Sequence, residues 1–167
     1  MRATPLHPHD YRPYGAVIEA RADAKSVRAN LGFAQRYNFL GALESLRPDA
    51  KANLCVFRCQ PMVPPRLATF EMKLLERHAY STQAFVPMAG VARYLVLVAT
   101  GGDLPDLSTL KAFVATGNQG ITYLPGVWHH PLVALDGPSD FTCLVWEDGS
   151  SADCEVAKLA APVTVAF

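Results

Sequence analysis

Thirteen prolines and eleven glycines divide this chain of 167 residues into short segments. That punctuation favours strands joined by turns over long helices. The runs between turns are rich in Val, Leu, Phe and Tyr. They predict strands over Leu54–Gln60, Thr69–Ala79, Gln83–Met88, Tyr94–Thr100, Gly120–Tyr123, His129–Leu135 and Phe141–Glu147. One segment reads differently. Asp106 can cap a helix whose apolar positions Leu107, Leu110, Phe113 and Val114 follow helical spacing, with Gly117 closing it. Many strands with one or two short helices predict an all-β sandwich or barrel, and the length suits one domain over residues 1–167.

The segment Thr69–Ala79 carries the first functional signal. Side chains alternate between faces along a strand. One face is expected to carry Phe70, Met72, Leu74, Glu76 and His78, and the other Glu71, Lys73, Leu75 and Arg77. The second is mostly charged and reads as solvent-facing. The first begins as core and ends in an acid and an imidazole. An inward carboxylate is costly unless something compensates it, so the end of this strand is where a ligand is expected.

Spacing extends the signal. Glu76-x-His78, then Gln83 and Gly90, match the intervals of the first metal motif of small cupin barrels. Pro125-Gly126-Val127-Trp128-His129 resembles the second, with the proline one position closer than usual. The chemistry departs from that pattern, because Glu stands for the first His and Gln for the usual Glu. Two readings follow. Glu76, His78, Gln83 and His129 hold a divalent ion such as Mn, Fe, Ni or Zn, or they form a metal-free network that binds substrate directly.

Longer strings are more specific. FAQRYN (33–38), ERHAYSTQAFVPM (76–88), PDLSTLKAFVATGNQGITYLPGVWHHPL (105–132) and DFTCLVWEDGSSADCE (140–155) resemble the ureidoglycolate lyase (ureidoglycolate hydrolase) family, and PYGAVIEA (13–20) fits its amino-terminal pattern. The resemblance implies a cupin-like fold, a homodimer, and cleavage of ureidoglycolate to glyoxylate and urea in purine breakdown after allantoate. That substrate joins a hydroxyl, a carboxylate and a ureido nitrogen on one carbon. Breaking its C–N bond calls for a base, an acid and a cationic clamp. Glu76, His78, His129 and His130 are the candidates for proton transfer, with Gln83 and Tyr123 as further substrate contacts. Arg36 and Arg58 are the candidate clamps, because a guanidinium meets a carboxylate with two parallel hydrogen bonds.

Composition narrows the partners. A formal net charge of zero removes the electrostatic reason to expect nucleic acid or an anionic membrane, leaving a small molecule and a second subunit. Cys55, Cys59, Cys143 and Cys154 form no C-x-x-C pair and read as reduced. With no signal-peptide pattern and no long apolar run, a cytoplasmic location is expected. Two rivals stand beside the lyase. A different metal-dependent cupin enzyme would show three His and a Glu, and a non-catalytic metabolite binder would need no inward acid–imidazole pair.

Overall fold

The computed structural model describes residues 1–62, 67–150 and 152–167. Its strands are β1 (Thr4–Pro5), β2 (Val17–Ile18), β3 (Ser26–Ala29), β4 (Ala34–Tyr37), β5 (Lys51–Cys59), β6 (Thr69–His78) and β7 (Gln83–Ala89). They continue as β8 (Arg93–Ala99), β9 (Lys111–Thr116), β10 (Gly120–Tyr123), β11 (Trp128–His129), β12 (Val133–Ala134), β13 (Ser139–Glu147) and β14 (Cys154–Ala166). A four-residue helix, Pro8–Tyr11, and two single 3-10 turns are the helical content among the described residues. The all-β expectation holds, and among the described residues no helix is long and apolar enough to cross a membrane.

Two sheets face each other. One runs β1-β9-β8-β11-β6-β14, with β12 also on β8, and the other runs β2-β10-β7-β13-β5. The core between them joins Tyr94, Val96 and Val98 of β8 to Phe85, Ile121, Phe141 and Cys143 of the second sheet. Leu95, Leu97 and Ala99 project the other way, into a second cluster with Met72, Trp128 and Val133. Burial on both faces explains why β8 is an unbroken apolar run.

Three expectations change. The helix after Asp106 is a single 3-10 turn, Leu107–Thr109, although Asp106 does cap it by accepting from the Ser108 N–H. Residues Lys111–Thr116 instead pair with β8, sending Phe113 and Ala115 to one core and Ala112 to the other. Apolar residues three apart fit either structure, and the open side of β8 decides it. His129–Leu135 is not one strand but β11 and β12, on either side of Pro131, which lacks an N–H to donate.

The third change lies in β6. Met72 and Leu75, three positions apart, are both fully buried in the second cluster, so strict alternation breaks between them. β14 shifts register there, pairing Lys158 with Leu74 and Val163 with Met72. Phe70 and Met72 therefore do not share a core with Glu76 and His78. Bulges of this kind re-aim the residues that follow.

Candidate active site

Glu76 and His78, at the end of β6, are turned toward the space between the sheets, where they meet Gln83. Gln83 does not return on the same hairpin, as its nearness in sequence suggests. It starts β7, in the facing sheet, so the cavity is walled from both layers. Phe57, Cys59, Phe85, Leu132, Val145, Glu147 and Cys154 complete most of a pocket of about 380 Å³.

His129 and Tyr123 lie against this group. His129 pairs with Glu76 across β11 and β6, and its Nε2 is 3.7 Å from Glu76 Oε1. The Pro125-Gly126 turn sets that register. Gly126 adopts φ +77°, a conformation suited to glycine. Its N–H donates to the His78 carbonyl at 2.8 Å, tying the turn to the end of β6. The Tyr123 ring stacks on His129 with centroids 3.9 Å apart, and His78 stacks on His129 at 5.8 Å.

These surroundings fix the charges. Burial holds the His129 pKa down to about 3, so the ring is neutral. Its Nδ1 lies 2.9 Å from the Val127 carbonyl, which accepts a hydrogen bond from the Nδ1–H and leaves Nε2 with a free lone pair. Burial also lowers the His78 pKa, opposed by Asp153, whose carboxylate approaches Nδ1 to 3.4 Å without closing a hydrogen bond. Burial raises the Glu76 carboxyl above its ordinary range. Among the described residues, Gln83 Oε1, Tyr123 OH and His129 Nε2 are buried without a hydrogen-bond partner, and His78 Nδ1 faces only the Asp153 carboxylate. Buried polar atoms are seldom left unpaired, so three in one place mark a site built to receive a polar ligand.

The same test bears on a metal. Two imidazoles, a carboxylate and an amide oxygen have the donor chemistry for a divalent ion of intermediate hardness. Among the described residues no three His, Cys, Asp or Glu side chains converge as a preformed cluster. An ion held here would therefore draw on Gln83 and on substrate oxygens.

Three expected residues lie elsewhere. His130 follows His129 in the chain and so projects to the opposite side, packing edge-on against Phe70 at 5.0 Å. Arg58 lies on the outer face of β5, the reverse of Phe57 and Cys59, and is held by Asp140 through two hydrogen bonds of 2.9 Å. Arg36 is exposed on β4, in a two-stranded ribbon that belongs to neither sheet. His129 itself is 1% exposed, on a strand paired on both sides.

Sequence reasoning passed over Asp153. It is buried, accepts from the Tyr80 N–H at 2.9 Å and from the Ser81 hydroxyl, and stands between His78 and Arg47. Its only signal was its place beside Cys154 in the string DFTCLVWEDGSSADCE.

The family model for ureidoglycolate lyase matches residues 1–166. The chain belongs to the ureidoglycolate lyase family. A ureidoglycolate lyase of Salmonella typhimurium (strain LT2) is 40% identical over 159 residues, covering 95% of this chain and 94% of that one. One of Salmonella paratyphi B shows the same identity and coverage. Among solved structures, a dTDP sugar isomerase from Desulfovibrio desulfuricans G20 aligns with 88% of this chain and 85% of its own, at 16% identity and a TM-score of 0.48. RmlC from Streptococcus suis aligns over 87% and 72%, at 12% identity and a TM-score of 0.42. In this lyase Glu76, His78, Gln83, Tyr123 and His129 come to one place.

Proposed function

We propose that the cavity between the sheets is where this lyase cleaves the C–N bond of ureidoglycolate to give glyoxylate and urea. The observation that carries the reading is the convergence of a carboxyl of raised pKa with three unpaired buried polar atoms. The substrate brings a hydroxyl, a carboxylate and an amide, which are the groups such atoms bind.

The reaction needs no net proton. The hydroxyl loses a proton as its oxygen becomes the aldehyde, the C–N bond breaks toward nitrogen, and that nitrogen gains a proton. Glu76 suits both transfers, because a carboxyl raised by burial is a stronger base when ionised and still a competent acid once protonated. His129 stays neutral and accepts a hydrogen bond at Nε2, holding the hydroxyl or the ureido N–H in place. His78 and Gln83 hold the ureido group, and Tyr123 fixes the His129 ring by stacking. A divalent ion, if held by Glu76, His78, Gln83 and His129, would lower the hydroxyl pKa.

The wider assignment rests on the family. We place the enzyme in purine breakdown after allantoate, in the cytoplasm, where its four free thiols are at home. Purified protein given ureidoglycolate should release glyoxylate, and Glu76→Gln should lose that activity while remaining folded. Wild-type turnover in Glu76→Gln would remove Glu76 from the mechanism.

A further inference from the structure

The ribbon of β3 and β4 hydrogen-bonds to neither sheet, and an isolated two-stranded hairpin is marginal in water. It nevertheless displays large apolar side chains at its tip and exit. Leu31 is 99% exposed, Phe33 93%, and Phe39 fully so. Two residues beyond Phe39 the chain reaches the outer face of the second sheet. There Leu43, Leu54, Val86 and Leu144 help to line an apolar recess of about 200 Å³. Leu54, Val56 and Met88 on that face are exposed as well.

These features fit one occupant. Each chain offers both a protruding apolar ribbon and an apolar recess, so a two-fold pair satisfies both at once. An interface of standard size takes about 800 Å² from each partner, and these exposed apolar side chains would form its centre.

Charge gives the ribbon a second use. The cavity is lined by Glu76 and Glu147, with no Lys or Arg among its described lining residues. A substrate carboxylate entering between two acids needs a cation. Arg21, Arg47, Arg58, Arg77 and Arg93 are each held by an acid, whereas Arg28 and Arg36 are exposed on the ribbon, Arg28 folded back over Gly32 at its turn and Arg36 on β4. Strand β5 is the edge of its sheet and connects the two surfaces. Its outer residues Leu54 and Val56 belong to the apolar face, while Phe57 and Cys59 line the cavity. A segment lying along that edge touches both.

We propose that a second copy of this chain covers the ribbon, and that each ribbon reaches along β5 of the other copy to place Arg36 at that copy's cavity as the clamp for the substrate carboxylate. The inference rests on the lyase reading of the cavity. It makes the site incomplete in a single chain.

Mixing two defective chains tests it. Arg36→Ala should lower kcat/KM by about 10- to 100-fold, the range for losing a charged hydrogen bond. Glu76→Gln should be inactive. Co-expressed with different tags, the two variants assemble so that roughly a quarter of all sites hold both an intact Glu76 and the other copy's Arg36. Recovery of about a quarter of wild-type turnover is the expected result. No recovery in a mixture shown to contain the mixed dimer overturns the proposal, as does a monomer at micromolar concentration in sedimentation. Wild-type kinetics in Arg36→Ala overturn it too, and leave the lyase reading intact provided wild-type protein still releases glyoxylate. Arg36→Lys, which keeps the charge, guards against a folding defect and should retain more activity than the alanine variant.

Discussion

His129 Nε2 and Glu76 Oε1 face each other at 3.7 Å across paired strands, too far for a hydrogen bond and near enough for one small group to touch both. A neutral imidazole with a free lone pair thus stands beside a carboxyl of raised pKa. Among the described residues no protein group satisfies Nε2, which the proposed mechanism pairs with substrate.

Replacing either histidine of the stacked pair should therefore be costly to turnover. His78→Ala and His129→Gln are each expected to lower turnover by about 10- to 100-fold, the range for losing a hydrogen bond that holds the substrate in a buried site. The double variant should be hardly worse than the single ones, because groups that act as a unit lose most of their effect at the first deletion. Glutamine is preferred at position 129, since that side chain is fully buried against Tyr123 and truncation to alanine would leave a cavity. Steady-state kinetics on folded variants check this, and near-native turnover in either single variant would count against the site.

Arg58 makes the opposite case. Its two bonds to Asp140 lie on the outer face of β5, away from the cavity. Arg58→Ala should keep wild-type kcat and KM. A loss of activity matching that of Arg36→Ala would mean that β5 presents Arg58 to a site.

His130→Gln should also leave turnover unchanged while lowering stability, because the ring packs edge-on against Phe70 in the second cluster. Thermal unfolding and kinetics on the same preparation separate the two effects.

Stability should fall on acidification. His129 is held neutral in the folded protein, with a pKa of about 3, whereas in the unfolded chain it titrates near ~6.5. Between those values the unfolded state binds a proton that the folded state refuses. Stability contributed by this group is complete above the unfolded pKa and is lost as pH falls toward the folded one, by about 1 kcal/mol per pH unit. His78 and His130, also lowered by burial, act in the same direction. Urea unfolding of wild type should weaken from pH 7 to 5 more steeply than that of His129→Gln. Parallel pH dependence in the two proteins would show that His129 is not buried neutral.

Much of the site was legible in the sequence because two short motifs encode it. Glu76 and His78 share a strand face, and the turn before His129 is set by Pro125-Gly126. What could not be read was the layer each strand joins. Gln83 is five residues from His78 yet begins a strand of the facing sheet, and nothing local distinguishes that from a hairpin. The bulge opposite Met72–Leu74 depends on register between residues distant in the chain. The segment after Asp106 failed for a related reason, since its apolar spacing fits a helix or a strand and the open side of β8 chose the strand. Arg58 was misplaced because its face is set by β5's partners, not by its own neighbours.

The most direct test of the central claim is the product balance at early times, using protein free of urease. Elimination through Glu76 predicts glyoxylate and urea in equal amounts, with no ammonia formed directly. Ammonia released in step with glyoxylate would mean that the urea group is hydrolysed, and would contradict C–N lysis in this cavity.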